Sequence, residues 1–138
     1  MREEFVSFET ALLAKEKGFR NRTHTFYWPE DGEFDEVPYC HCDFEILRTC
    51  ECGSDEILTK LHCGELVEAP TQSLLLKWLR DVHKIHIIPD LPWIENGWTA
   101  KGVSLVNGSQ LFSVLKYGKY QSYEAVIEVA LIEALKRI

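Results

Sequence analysis

The sequence predicts an α+β fold: a back half running helix, three strands, helix, in which a three-stranded antiparallel sheet has two helices on one face, and an acidic α/β front half packed on it. Three observations carry this. Leu74, Leu75, Trp78, Leu79 and Val82 fall on one side of a helix over residues 71–83, with Lys77, Arg80 and Asp81 on the other. Val126, Ile127, Ala130, Leu131, Ala134, Leu135 and Ile138 form a second such stripe in the closing segment. Between the two, β-branched and aromatic runs are separated by Asn96-Gly97 and Asn107-Gly108, dipeptides that accept the left-handed backbone of tight strand turns.

From the start of the chain, "FETALLAKEK" (8–17) places Ala11, Leu12 and Lys15 at helical spacing behind Ser7 as N-cap, and Gly18 stands where a glycine stops a helix. "THTFYW" (23–28) reads as a strand ended by Pro29, and the loop "EDGEFDE" that follows reads as a solvated hairpin or loop, since its acids match a calcium loop only in part. "DEILTKLHC" (55–63) predicts a short helix closed by Gly64. In the back half, Pro70 and Thr71 open the first amphipathic helix. "KIHIIPDL", residues 98–106 and "LFSVLKY" are the three strands, and Ser122 caps the last helix. With 138 residues, 46% of them hydrophobic, the chain is long enough for one real core. No linker divides it, so residues 1–138 are read as a single domain with a front subregion, 1–68, and a back subregion, 69–138.

Charge narrows the partners. The formal net charge is −7, and it is uneven: residues 1–69 carry 7 Lys/Arg against 16 Asp/Glu, while residues 70–138 carry 8 against 6. A net acidic chain is disfavoured for nucleic acid, and Glu124, Glu128 and Glu133 on the closing helix oppose the double-stranded-RNA-binding role that the same element order would otherwise bring to mind. No run approaches the roughly 20 apolar residues of a membrane span, and the opening lacks the pattern of a secretory signal. The expectation is a cytoplasmic protein.

Four of the five cysteines form two Cys-x-Cys pairs, Cys40/Cys42 and Cys50/Cys52. On a hairpin all four sulfurs would share one face, and four thiolates satisfy tetrahedral zinc. "DFEILR" between them lacks turn residues, and zinc ligands are ordinarily spaced by two to four residues, so reduced thiols are the favoured reading beside structural zinc and a disulfide or redox role. The cofactor expectation is none, with zinc as the one metal these residues would suit. Trp93 and Trp98 flank the Asn96-Gly97 turn and, if exposed, make an aromatic binding patch; His86 alternates with Ile85 and Ile87 on a strand and joins them as a binding residue. On the closing helix, Ala125, Val129 and Ile132 form a second apolar flank, which packs under the N-terminal segment or meets a second copy of the chain.

Pro70-Thr71-Gln72, Lys77-Trp78-Leu79-Arg80 and the His83-x-Ile85-His86 run, with the closing Tyr123-Glu124, Ala130-Leu131, Ala134-Leu135-Lys136 and Ile138, resemble a group of short uncharacterised proteins of Bacteroidetes phages, prophages and mobile elements. "FETALLAKEKGF" is similar to the head of that group. Ala125 stands where the group tends to have Glu, and the Cys-x-Cys pairs are not part of its pattern. The resemblance implies a small α+β protein made in the host bacterial cytoplasm. No Gly-x-Ser-x-Gly, Walker, dinucleotide or His-Glu-x-x-His motif is present. The expected function is a non-catalytic binding protein engaging a host factor; the alternatives are a binder of a small nucleotide-type ligand and a zinc-stabilised protein.

Overall fold

The computed structural model describes residues 4–20, 23–37, 60–61, 64–90, 97–114, 120 and 122–138. These build a mixed α/β structure with three helices and two three-stranded antiparallel sheets. Helix α1 spans Phe8–Glu16, strands β1 and β2 span Thr25–Tyr27 and Phe34–Glu36, and β3 spans Val67–Glu68. Helix α2 (Gln72–Val82), strands β4 (Ile85–Asp90), β5 (Thr99–Ser104) and β6 (Gln110–Val114), and helix α3 (Tyr123–Leu135) follow.

The front sheet runs β2-β1-β3. The acidic loop turns at Gly32 (φ 73°), where the Gly32 N–H donates to the Trp28 carbonyl at 2.8 Å, and Asp31, Glu33, Asp35 and Glu36 stand in solvent. Alternation along β1 divides the interior: Tyr27 faces the main core, while Phe26 joins Leu61 and Leu66 in a smaller one against Trp28 and Val37. No sequence pattern signals the pairing of β3 with β1, because a two-residue strand has no period to read.

The back sheet runs β4-β5-β6, both pairs antiparallel. Ile85 and Ile87, then Ala100 and Gly102, then Phe112 and Val114 point to the core. Helix α3 packs on all three strands, and α2 packs on α3 and β4. Val126, Ile127, Ala130, Leu131, Ala134 and Leu135 are buried and Ile138 is half-buried, as the period of 3.6 predicts. All three caps are made as the sequence implies: Ser7, Thr71 and Ser122 hydroxyls accept from the N–H groups of Thr10, Leu74 and Ala125.

Three side chains depart from expectation. Trp78 is half-buried, its ring edge-on to Phe19 at 5.3 Å and near His83 at 4.6 Å. Leu12 is 41% exposed, because the buried side of α1 is made by Thr10, Ala11 and Ala14 instead. Val82 is 58% exposed. Helix α2 ends there at the His83 cap and Lys84 turns the chain into β4 with a left-handed φ of 56°. A lysine in that region is strained where glycine is not. Lys84→Gly is therefore expected to raise the unfolding free energy by about 1 kcal/mol, read as a higher midpoint in urea; an unchanged or lower midpoint would show that the Lys84 ammonium, which donates to the Asp81 carbonyl at 2.9 Å, outweighs the strain.

Candidate functional site

Strand alternation leaves the outer face of the β4-β5-β6 sheet to His86, Ile88, Lys101, Val103 and Ser113. The β5–β6 register slips by one residue after Gly102, which pairs with Phe112, to Val103, which pairs with Gln110; Leu111 is the extra residue and is 37% exposed. His86, Ile88 and Val103 are half-buried, and Lys101 and Ser113 are exposed. Beyond the strands, the β5–β6 turn carries Leu105 and Val106, 49% and 80% exposed. Asn107 holds that turn, its Oδ1 accepting from the Ser109 N–H at 3.0 Å and hydroxyl at 2.7 Å.

A groove of about 450 Å³ lies along this side, lined by Ile88, Asp90, Thr99, Lys101, Gln110 and Ser113. It offers one cation, one carboxylate, two hydroxyls and an amide around an apolar wall. A second hollow of about 480 Å³ sits where the leading segment meets β1 and the start of α2, with Phe5, His24, Thr71, Ser73 and Lys77 around it.

Among the described residues, the two binding candidates singled out by sequence, His86 and Trp98, lie apart. His86 pairs with Val103, five residues along β5 from Trp98, a separation of about 16 Å at roughly 3.3 Å per residue. Trp98 is half-buried against the main core, its ring edge-on to Tyr123 at 5.6 Å and its backbone N–H donated to the Tyr120 carbonyl at 2.7 Å. Trp93, Cys40, Cys42, Cys50 and Cys52 lie outside the described residues. Among the described residues no cluster of His, Cys, Asp and Glu is arranged to hold a metal ion, and no helix is long and apolar enough to cross a membrane.

On α3, Ala125 and Val129 are half-buried against the core and Ile132 is half-buried beside them. Helix α1 packs against α3, with the Ser7 N–H reaching Glu128 and the Lys17 ammonium donating to the Ile138 carbonyl at 2.7 Å. Contacts 7 to 128 and 17 to 138 advance together, so the two helices run in the same direction.

Among the described residues, the two shifted ionisable groups, Tyr27 and Glu128, both lie near this junction. Burial first, and then the nearby Glu128 and Glu4 charges, push the Tyr27 hydroxyl above its ordinary value; it donates to the Val6 carbonyl. Burial also pushes the Glu128 carboxyl up, against the pull of the Ser7, Thr10 and Gln72 dipoles. By sequence Glu128 is one of three acids on the closing helix, and the apolar flank of Ala125, Val129 and Ile132 is the available sign that its side of α3 is covered.

Comparison with family models, curated proteins and solved structures returns no match to this chain.

Proposed function

We propose that this is a non-catalytic binding protein that engages another protein through the outer face of the β4-β5-β6 sheet. One observation carries the reading. That face sets Ile88, Val103 and Leu111 among His86 and Lys101 and continues into exposed Leu105 and Val106, while α3 takes the opposite face. Apolar groups ringed by a few polar ones are the composition of a recognition patch, and contiguous exposed apolar surface is uncommon without a partner. The resemblance to phage and mobile-element proteins supports a host protein as that partner, in the cytoplasm of the infected cell.

The test is affinity capture from host lysate with wild type and with Val103→Glu, a half-buried outer-face position where a charge leaves the core stripe intact. Wild type is expected to hold one component saturably, and the variant to hold it at least tenfold more weakly, about 1.4 kcal/mol. Equal capture by both, or none by either, sinks the proposal.

The groove favours a second reading, a small nucleotide-type ligand. Its volume falls within the range of small-molecule sites. Lys101 and Ser113 suit a phosphate and Asp90 the sugar hydroxyls. A thermal-shift series with nucleoside monophosphates separates the two, because a ligand at 100 times its dissociation constant adds about 2.7 kcal/mol and raises the midpoint, while a protein-binding face leaves it unmoved.

A further inference from the structure

We propose that Glu128 is a proton-operated latch that fixes the leading segment and α1 onto α3, holding firmly when the carboxyl carries a proton and easing when it is ionised. The latch stands apart from the outer face of the back sheet and does not depend on the binding role assigned to it.

The geometry is that of a carboxyl short of donors. Its Oε1 accepts from the Ser7 N–H at 2.5 Å, across 121 residues of sequence. Its Oε2 is shut off from solvent and has no hydrogen-bond partner. The groups facing it are neutral, and the pull of the Ser7, Thr10 and Gln72 dipoles toward the ionised form is outweighed by burial. Ser7 and Thr10 of α1 present hydroxyls that share a hydrogen bond at 3.0 Å. Gln72, at the start of α2, gives its Nε2 to the Glu124 carbonyl at 2.9 Å, and Tyr27 of β1 gives its hydroxyl to Val6. The charged groups around this junction are acidic: Glu4, whose charge reaches Tyr27, and Glu124, one turn back on α3. No lysine or arginine among the described residues pairs with Glu128. An ionised carboxylate here leaves a buried oxygen without a donor, which is costly. A protonated carboxyl is neutral and costs far less to hold out of water.

The element being held is suited to a small bias. Helix α1 fully buries only Thr10, Ala11 and Ala14, short side chains that remove little apolar area from water, with Phe8 and Leu13 partly buried beside them. Undocking it returns Glu128 to solvent, near its ordinary value of 4.5, whereas burial raises it when docked. A carboxyl that binds its proton more tightly in the docked state contributes its full hold below the ordinary value. That hold declines as pH rises through the docked value and is absent above it. Each unit between the two values changes the docking equilibrium tenfold.

Native-state hydrogen exchange at a series of pH values from 4 to 8, corrected for intrinsic rates, reads this directly. The reporters are the amides of Val6, Ala11 and Gln72, bonded to the Pro70, Ser7 and Glu4 carbonyls, with the β4–β5 ladder as control. In wild type their protection is expected to fall relative to the control as pH rises above the ordinary glutamate value. Glu128→Gln keeps the neutral shape at every pH and is expected to flatten the profile. A flat wild-type profile, or the same slope in Glu128→Gln, overturns the latch. Should the variant not fold, the ¹³C titration of the Glu128 carboxyl in wild type decides. A midpoint above the ordinary value and coincident with the loss of protection supports it, and a midpoint at or below the ordinary value refutes it.

Discussion

Gly102→Ala is expected to lower the unfolding free energy by about 3 kcal/mol, the upper end for overpacking a core, and to drop the thermal midpoint by several degrees per kcal/mol. A Cβ at this position would lie 2.1 Å from Cε1 of Phe112 and 2.4 Å from its Cζ, inside any non-bonded contact. Gly102 and Phe112 are direct partners across β5 and β6, so the ring lies on the glycine and fills the space a side chain would take. The ring has little room to retreat. It is 6% exposed, α3 packs over its strand, and the Arg137 guanidinium stands 5.4 Å from its centre. The double variant Gly102→Ala with Phe112→Leu is expected to recover part of the loss, because the smaller side chain makes way. Thermal unfolding of the four-member cycle gives the coupling, and strictly additive effects would show that the clash is not what the alanine introduces.

Leu131→Ala is expected to cost about 2–5 kcal/mol, measured as a lower midpoint in urea at unchanged slope. Leu131 is fully buried on the stripe with which α3 covers the back sheet, so removing three carbons leaves a cavity there as well as lost transfer energy. Leu12→Ala supplies the contrast: the same change at a residue 41% exposed on α1 is expected to stay within about 0.5 kcal/mol. If the two variants unfolded alike, the assignment of α3 as the central element would be wrong.

The difference between those two leucines also shows where sequence was informative. Helix α3 shows its buried side plainly because it meets three strands with large side chains repeating at 3.6, and α2 does so up to Leu79. Its stripe misled at Val82, since the last turn of a helix can run past the surface it packs on and the chain there swings away through Lys84. In α1 the buried residues are threonine and alanine, which carry little hydropathic signal, and Leu12 was the false lead. Strand order within the back sheet followed from the close spacing of the strands in sequence, whereas β3 joins β1 across some forty residues and no local pattern encodes that pairing. The site was less legible than the fold. His86 was found through alternation, but Lys101, Val103 and Leu111 join it only through cross-strand register, and the one-residue slip that exposes Leu111 has no mark in the sequence. Glu128 was visible as a charge and not as a buried one, because period alone does not say which flank of a helix another helix will cover.

The alignment of α1 with α3 also has a bearing on the order of assembly. The two polar contacts at the ends of α1, Ser7 to Glu128 and Lys17 to Ile138, each join residues 121 apart in the chain. Closing so long a loop before other contacts exist is entropically unfavourable, and a nine-residue helix does not persist alone in water. The β4–β5–β6 meander closes over far shorter separations and gives α2 and α3 a surface to settle on. Helix α1 therefore joins last, after the transition state, and substitutions along it should leave the refolding rate nearly unchanged while accelerating unfolding. Helix α1, synthesised before every element it packs on, is thus among the last to find its place.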